Sequence, residues 1–403
     1  MWMFIISLTI PFLILGPFFP DLIVSLSALI FLVYVIRKKA FYYFNNKPLI
    51  IFFIFCIYCI LVSIFVAKDR MLSFESSLFY FRIGVFACLI WYLIDTNKKI
   101  LIYFYYSLVI CFSALIVDGY SQLFTGNNIV GFVKISTRVS SLFGDELIMG
   151  SYLSRLFPLL FALFLLKEKK QLELYYLCIL FILSSGLIYI SGERSSFFFF
   201  VLSFTFIMIF IKQFIKLRII LLACFVILIL IINFNFSEIR VRMVSTTIIN
   251  FEKSIFTPQH DKLIRTAYNM FLDKPIFGHG PKMYRVVCKD EKYAVGAGSC
   301  MTHPHNFYIQ LLSETGIVGF SFLFSAFAYV LHCYYLQFKS IFLKQKRYLT
   351  DYQVCLLAAI LITVWPLTTN GNFFHNWLAI IYSLPVGFYL HSIYGKNRKN
   401  IFF

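Results

Sequence analysis

Long runs of apolar residues, separated by short polar gaps, fill most of the 403-residue chain. A hydrocarbon core of about 30 Å requires roughly 20 apolar residues in a helix, and most of the runs approach that length. The pattern predicts an all-α membrane protein with about twelve transmembrane helices, near residues 1–18, 21–36, 49–66, 77–94, 100–118, 149–166, 173–191, 196–211, 219–235, 316–337, 352–369 and 377–394.

One gap between apolar runs is far longer and more polar than the others. It covers residues 236–315, between the ninth and tenth predicted helices, whereas the next longest outer gap covers about residues 119–148. Loops longer than about 15 residues are usually functional. The predicted organisation is a membrane domain of residues 1–235, a loop subdomain of residues 236–315 and a second membrane domain of residues 316–403.

The few charged residues decide the predicted orientation. Lys and Arg outnumber Asp and Glu by 36 to 18, but they lie in short gaps and not on one polar domain, so they do not indicate nucleic-acid binding. Short loops rich in Lys and Arg stay cytoplasmic. The basic loops are residues 37–47, 98–99, 167–170, 212–218, 339–347 and 396–399. The large loop 236–315 is then predicted to lie on the outer face.

Two of the ten cysteines, Cys288 and Cys300, lie in a polar segment, and the other eight lie in apolar runs. On the outer face an oxidising compartment favours a disulfide between them. A zinc site that adds His303 and His305 is the alternative, but the spacing matches no common zinc motif. The chain has no P-loop and the large loop has no Asp-x-Asp pair, so neither ATP hydrolysis nor a metal-bound nucleotide sugar is expected.

His305 is the candidate general base. A helix is predicted to begin just after Pro304 and to end at Gly316, with His305 at its amino end. The positive end of a helix dipole disfavours an added proton, so this imidazole should stay neutral, as a base must. The alternative is an interfacial histidine that only hydrogen-bonds to the backbone.

Three arginines of the predicted outer face are candidate substrate-binding residues: Arg194 at the start of the eighth helix, Arg265 in the large loop, and Arg138 in the loop 119–148. An arginine beside apolar residues is costly unless it is paired with an acidic group or binds a ligand. Its planar guanidinium can donate two parallel hydrogen bonds to a phosphate. These positions indicate an anionic head group such as a lipid-linked diphosphate. Snorkelling, or pairing with Glu193 or a phospholipid phosphate, is the alternative for each.

Taken together, these motifs resemble the O-antigen ligase and polymerase superfamily of bacterial envelope glycosyltransferases. The resemblance covers about residues 115–320 and rests on His305 followed by Gly316 within 305–319, on 275–281 with Arg265 upstream, on 191–195 around Arg194, and on 122–126 with 140–146.

The resemblance implies a donor glycan on undecaprenyl diphosphate and an acceptor sugar hydroxyl, at a periplasmic site of the bacterial inner membrane. It also implies that no metal or other cofactor is needed, and that membrane lipids surround the protein. His305 then corresponds to the general base, and Arg194 and Arg265 correspond to a diphosphate-binding pair. The role of Arg138 stays open.

Three functions remain after this comparison. In the ligases the acceptor is lipid A-core, and in the polymerases it is another lipid-linked repeat unit; ligase is the first interpretation, although the motifs are common to both. A polysaccharide or lipid transporter should carry charges or broken helices near the middle of several spans. Apart from Arg82 and Arg155, the predicted spans are almost free of charge, which favours the enzyme.

Overall fold

The computed structural model describes residues 2–168, 171–253 and 256–396. This part of the chain is helical and contains no β-strand, only two isolated bridges between residues 127 and 138. The predicted all-helical class is therefore confirmed. Part of two predicted cytoplasmic loops lies outside the described residues, namely Lys169, Lys170, Arg398 and Lys399.

The α-helices that precede the large loop are α1 (Trp2–Ser7), α2 (Thr9–Phe12), α3 (Phe18–Lys38), α4 (Lys47–Phe65), α5 (Arg70–Leu78), α6 (Phe81–Thr96), α7 (Lys99–Thr125), α8 (Met149–Leu166), α9 (Gln171–Ile190), α10 (Arg194–Phe210) and α11 (Ile215–Asn235). The large loop carries α12 (Ser237–Arg240), a π-helical turn (Val241–Ser245), α13 (Thr246–Lys253), α14 (Pro258–Asp273) and α15 (Tyr284–Val287). The chain continues with α16 (Phe307–Phe342), α17 (Asp351–Thr363) and α18 (Asn376–Tyr394).

Each predicted membrane-spanning run overlaps an apolar helix, although the run 352–369 extends beyond α17, which ends at Thr363. Within the described ranges, nine helical segments are long and apolar enough to cross a membrane, and the segments Trp2–Phe12, Arg194–Phe210 and Asp351–Thr363 are shorter. A multi-pass membrane protein follows from these segments, whereas the number of twelve spans stays a prediction. Large apolar side chains of α3, α4 and α11 are exposed, as expected for helices that face lipid.

The helix α8 lies at the centre of the bundle. It packs against α7, α9, α10 and α17, and nearly all of its residues are buried. Its first turn lies beside the start of α10, because Glu193, just before α10, hydrogen-bonds to the backbone N–H groups of Gly150 and Ser151. This end of the bundle is where the large loop docks.

The large loop has a small apolar core of its own. Leu263, Ala267 and Met270 of α14 pack there with Tyr284 and Cys288. The disulfide predicted between Cys288 and the second polar-segment cysteine, Cys300, is present, with Cα atoms 5.3 Å apart. The segment before α16 is therefore attached to the core of the loop by a covalent bond.

Two glycines join the large loop to α16. Gly278 (φ +67°) and Gly316 (φ +65°) both occupy the left-handed region that favours glycine. A Cβ atom on Gly316 would lie 2.1 Å from the carbonyl oxygen of Ile276, and one on Gly278 would lie 2.4 Å from the carbonyl carbon of Glu314. Three backbone hydrogen bonds of 2.7–3.0 Å also connect residues 275–280 with residues 313–317. The helix break expected at Gly316 is thus present, although α16 continues beyond it.

Candidate active site

A cavity of about 530 Å³ lies where the starts of α8 and α10 and the loop before α18 meet the large loop. We call it the central cavity. Its ionisable lining is mostly basic and consists of Arg155, His260, Arg285, His303, His305 and His375, with Glu146 and Glu193 as the carboxylates. The candidate base predicted from the sequence, His305, therefore lies at a cavity that several distant segments form together.

The backbone at His305 is strained. Its φ of +57° lies in the left-handed region, which is uncommon for a residue other than glycine. The backbone N–H of Asn370 donates a 2.7 Å hydrogen bond to the carbonyl oxygen of His305. The next residue, Asn306, caps α16 by accepting two backbone N–H groups at 3.0 and 3.1 Å. His305 thus lies just outside the helix and not at its first position.

Three imidazole rings lie side by side at the cavity. The ring centroid of His305 is 4.0 Å from that of His303 and 5.1 Å from that of His260. Burial, followed by the charge of His260, lowers the pKa of His305 to about 4, and burial lowers the pKa of His303 to about 3. His305 is therefore neutral near pH 7 as predicted, but the main cause is burial and not a helix dipole.

His279, the remaining histidine of the large loop, belongs to the interior of the loop. Its Nε2 atom lies 3.0 Å from the carbonyl oxygen of Met270, and its side chain is buried. Among the described residues, no group of three or more His, Cys, Asp or Glu side chains is arranged to hold a metal ion.

Glu193 joins α8 to α10. Its carboxylate accepts hydrogen bonds from the backbone N–H groups of Gly150 (2.7 Å) and Ser151 (3.0 Å) and from the hydroxyl of Ser196 (2.8 Å). An anion at the start of α8 is favourable for the helix dipole. Since the carboxylate is used in this way, Glu193 forms no ion pair with Arg194 in the described structure.

Arg194 lines a neighbouring cavity of about 510 Å³ together with Arg242. Its Nε atom donates to the backbone carbonyl oxygen of Arg242 at 3.2 Å. Its charge also contributes, after burial, to lowering the pKa of His260. Arg194 therefore acts electrostatically on one histidine of the central cavity, His260, and its neighbour Arg242 was not identified from the sequence.

The other two predicted arginines lie in neither of these cavities. The Nε atom of Arg265 forms a 2.7 Å ion pair with Asp261, one turn earlier on α14, and the Arg265 side chain is 67% exposed. Arg138 donates to the carbonyl oxygens of Ser191 (3.0 Å) and Leu147 (3.1 Å), and burial lowers its pKa. Arg138 thus connects the turn before α10 with the residues before α8.

Several cavity residues were missed in the sequence. Arg155 lies within an apolar run and was noted only as an exception, and Arg285 belongs to no motif. Asn370 follows a segment, residues 352–369, that was predicted as a membrane helix, whereas α17 ends at Thr363. The signal for a loop was present, because the polar residues 368–372, Thr-Thr-Asn-Gly-Asn, separate two apolar runs.

A family model matches part of the chain. Residues 179–324 match the model described as O-antigen ligase. The matched segment includes Arg194, Arg265 and His305, and it excludes Arg138 and Asn370. No curated protein matches the chain. The predicted resemblance to the O-antigen ligase and polymerase superfamily is confirmed by this match, which supports a membrane glycosyltransferase that uses lipid-linked glycans.

Proposed function

We propose that this protein is an O-antigen ligase-like glycosyltransferase that moves a glycan from undecaprenyl diphosphate to a sugar hydroxyl of lipid A-core, on the periplasmic face of the inner membrane. The observation that carries the proposal is His305, a neutral and partly buried imidazole with a left-handed backbone at the central cavity. The O-antigen ligase match over the same part of the chain supports the substrate class.

In the proposed reaction, His305 accepts the proton of the acceptor hydroxyl while that oxygen attacks the anomeric carbon of the donor sugar. A new carbon–oxygen bond forms, and the bond from the anomeric carbon to the diphosphate oxygen breaks. Undecaprenyl diphosphate leaves with the electron pair, and the configuration at the anomeric carbon inverts. His305 then returns its proton to water. A positioned general base accelerates such a step by about 10²- to 10⁴-fold.

A pKa of about 4 keeps His305 neutral but makes it a weak base in the free enzyme. An anion nearby favours the protonated imidazole and raises its pKa. The negative donor diphosphate therefore makes His305 more basic when the substrate is bound. This coupling gives the base its strength in the complex, where the proton is transferred.

We further propose that Arg194 and Arg265 hold the donor diphosphate and stabilise its charge as it leaves. The neighbouring Arg242 and the effect of Arg194 on His260 support the first assignment. The second requires Arg265 to exchange its ion pair with Asp261 for the diphosphate. Arg138 is proposed to hold the turn around Arg194 and to take part in donor binding through it.

The test is glycan transfer by purified variants with a lipid-linked donor and a core oligosaccharide acceptor. His305→Ala should lower turnover by about 10²- to 10⁴-fold while the donor still binds. Arg194→Lys should weaken donor binding as well, because lysine keeps the charge but lacks the planar fork. His332→Ala is the matched control, since His332 lies exposed on α16. Transfer by His305→Ala at the wild-type rate would exclude His305 as the base.

Two experiments in cells test the finer parts of the proposal. In a deletion strain, polymer that accumulates on the lipid carrier while none reaches lipid A-core indicates a ligase; a single repeat unit on the core indicates a polymerase. Labelling of cysteines introduced into residues 236–315 should be possible from the periplasm. Labelling only from the cytoplasm would overturn the proposed location of the site.

A further inference from the structure

Arg155 is a buried arginine in the middle of the protein. It lies on the central helix α8, and only 4% of its surface is exposed. Two aromatic rings pack against its guanidinium, since Cζ lies 4.6 Å from the ring centroid of Phe199 and 5.1 Å from that of Tyr382. The hydrogen-bonding edge of the group carries its N–H donors, and Arg155 lines the central cavity.

That edge is only partly used by the protein. Nε of Arg155 donates to the hydroxyl of Ser151 at 3.2 Å, and Nη2 donates to Oδ1 of Asn370 at 2.8 Å. Nη1 has no hydrogen-bond partner in the described part of the chain. The Nδ2 atom of Asn370, which is 6% exposed and also lines the cavity, has no partner there either. Two adjacent buried donor groups at one cavity are therefore left without acceptors.

Two other arginines of the bundle, Arg82 and Arg218, also leave Nε without a partner among the described residues, but each is held at its terminal nitrogen atoms by a carboxylate or by several carbonyl oxygens. Arg82 forms an ion pair with Asp21, and Arg218 donates to three backbone carbonyl oxygens near the end of α10. Arg155 forms no ion pair with a carboxylate among the described residues. A buried charge is costly unless it is paired, and the terminal nitrogens of Arg155 have only the neutral amide of Asn370 as a partner among the described residues. A further partner for Nη1 would therefore come from outside the described part of the chain.

The remaining lining of the cavity favours an anion. Nε of Arg285 also lacks a partner among the described residues. Of the two carboxylates, that of Glu193 already accepts three hydrogen bonds from the protein, and Glu146 is exposed. Unused nitrogen groups thus outnumber unused carboxylates around the space next to Arg155.

We infer that Arg155 and Asn370 form an oxyanion-binding subsite of the central cavity, with Nη1 of Arg155 and Nδ2 of Asn370 as its donors. The oxyanion belongs to the substrate, and in this respect the inference rests on the proposed function. Two sources present this chemistry: the carboxylate of an acidic sugar in the glycan, and the diphosphate of the donor. Both residues lie outside the segment that matches the O-antigen ligase model, residues 179–324.

The test uses ligand-observed NMR to measure the binding of small anions to the full-length protein in lipid nanodiscs. Methyl glucuronide and pyrophosphate are the two probes, and uncharged methyl glucoside is the reference for the first. We expect the wild type to bind at least one of the anions. Arg155→Gln should weaken that binding by about 10- to 100-fold, the range for losing a hydrogen bond to a charged group.

Two further variants keep the test independent of folding defects. Asn370→Asp is nearly isosteric and pairs with Arg155 inside the protein, so it should abolish anion binding while the fold is retained. Arg82→Gln removes an arginine that is paired with Asp21 and should leave binding unchanged. If Arg155→Gln and Asn370→Asp lose glucuronide binding alone, the subsite binds an acidic sugar. If they lose pyrophosphate binding, the subsite binds the donor diphosphate.

The inference is overturned if neither anion binds the wild type, or if both Arg155→Gln and Asn370→Asp bind as the wild type does. The failure of the proposed function would look different, because it concerns transfer and not binding. If His305→Ala transfers glycan at the wild-type rate, the assignment of the base fails. Anion binding that depends on Arg155 would still establish the subsite.

Discussion

The imidazole rings of His303 and His305 lie with their centroids 4.0 Å apart and at an angle of 45°. Two protonated imidazoles at this distance repel each other, and burial disfavours a charge on either ring. Nε2 of His303 has no hydrogen-bond partner in the described part of the protein. The two histidines therefore share one environment, and single variants of each separate the base from its neighbour.

We expect His303→Ala to keep most of the activity. The loss of a neighbouring ring should shift the pKa of His305 by no more than about one unit, and because that pKa is about 4, the imidazole stays almost wholly neutral near pH 7. Turnover of purified His303→Ala and His305→Ala under one set of conditions measures the difference. An inactive His303→Ala beside an active His305→Ala would make His303 the base.

The pH dependence should differ between the free enzyme and the complex. His305 acts when it is neutral, so the rate falls as the pH drops through its pKa. The acid limb of kcat/KM should lie near pH 4, the value for the free enzyme, and that of kcat should lie higher, because kcat reports the substrate complex. His260→Gln should move the limb of kcat/KM to higher pH, since the charge of His260 lowers the pKa of His305.

Initial rates across pH check this prediction, with unfolding measured at each pH as the control. Histidines of the unfolded chain titrate near pH 6.5, so between about pH 4 and 6.5 the unfolded state binds more protons than the folded state. Stability therefore falls as the pH drops through this window. A limb of kcat/KM that stays in place in His260→Gln would contradict the coupling of the two rings.

Gly316→Ala should destabilise the protein strongly. Its Cβ atom would lie 2.1 Å from the carbonyl oxygen of Ile276, and the backbone atoms there have no room to move apart without breaking the junction. Gly298→Ala is the matched control, because Gly298 also has a positive φ (+78°) but has open space around it. The Gly298→Ala control measures only the cost of placing alanine in a left-handed backbone conformation, about 1–2 kcal/mol.

Thermal unfolding of both glycine variants in detergent provides the comparison. The apparent Tm of Gly316→Ala should fall well below that of Gly298→Ala. Equal shifts would mean that the close approach of the two backbones contributes nothing to stability.

Reduction of the disulfide should loosen the segment before His303. Closing a loop of about 12 residues stabilises a protein by roughly 3 kcal/mol at most in the chain-entropy model. Cys288→Ser should therefore lower the unfolding temperature, whereas Cys224→Ser, which changes an exposed free cysteine, should not. Mass spectrometry of non-reduced peptides detects the bond directly, and free thiols at both Cys288 and Cys300 would contradict it.

The lengths of the apolar runs in the sequence predicted where the apolar helices lie, because the thickness of a bilayer sets the length of an apolar helix. They placed the tenth span at residues 316–337, and the helix predicted separately between Pro304 and Gly316 leads into that span, since α16 includes both (Phe307–Phe342). The polar side chains of Gln310 and Glu314 kept the first part of α16 out of the apolar run. They are fully buried and hydrogen-bonded to each other at 2.9 Å, and the backbone N–H of Tyr284 donates to Glu314. The large loop supplies this partner, and no local pattern reveals it.

The candidate site was predictable only where it is local in sequence. His305 was found from its position near a helix start and from the resemblance. The contact between Arg155 and Asn370 joins residues 215 positions apart, and such a contact leaves no local trace. The ion pair of Arg265 with Asp261 was visible as an i, i+4 spacing on a helix, and the sequence interpretation overlooked it.

The close approach of Gly278 and Gly316 has a consequence for protein engineering. The backbone beside Gly316 fills the space that a side chain at Gly278 would need, and the backbone beside Gly278 fills the space that a side chain at Gly316 would need. The segments 275–281 and 313–317 therefore form two halves of one joint. A chimera that takes these halves from different relatives would combine surfaces that were never matched to each other. An exchanged cassette should therefore contain residues 275–317 together, with α14, whose side chains pack against Tyr284 and Cys288, and libraries should vary both halves of the joint at once.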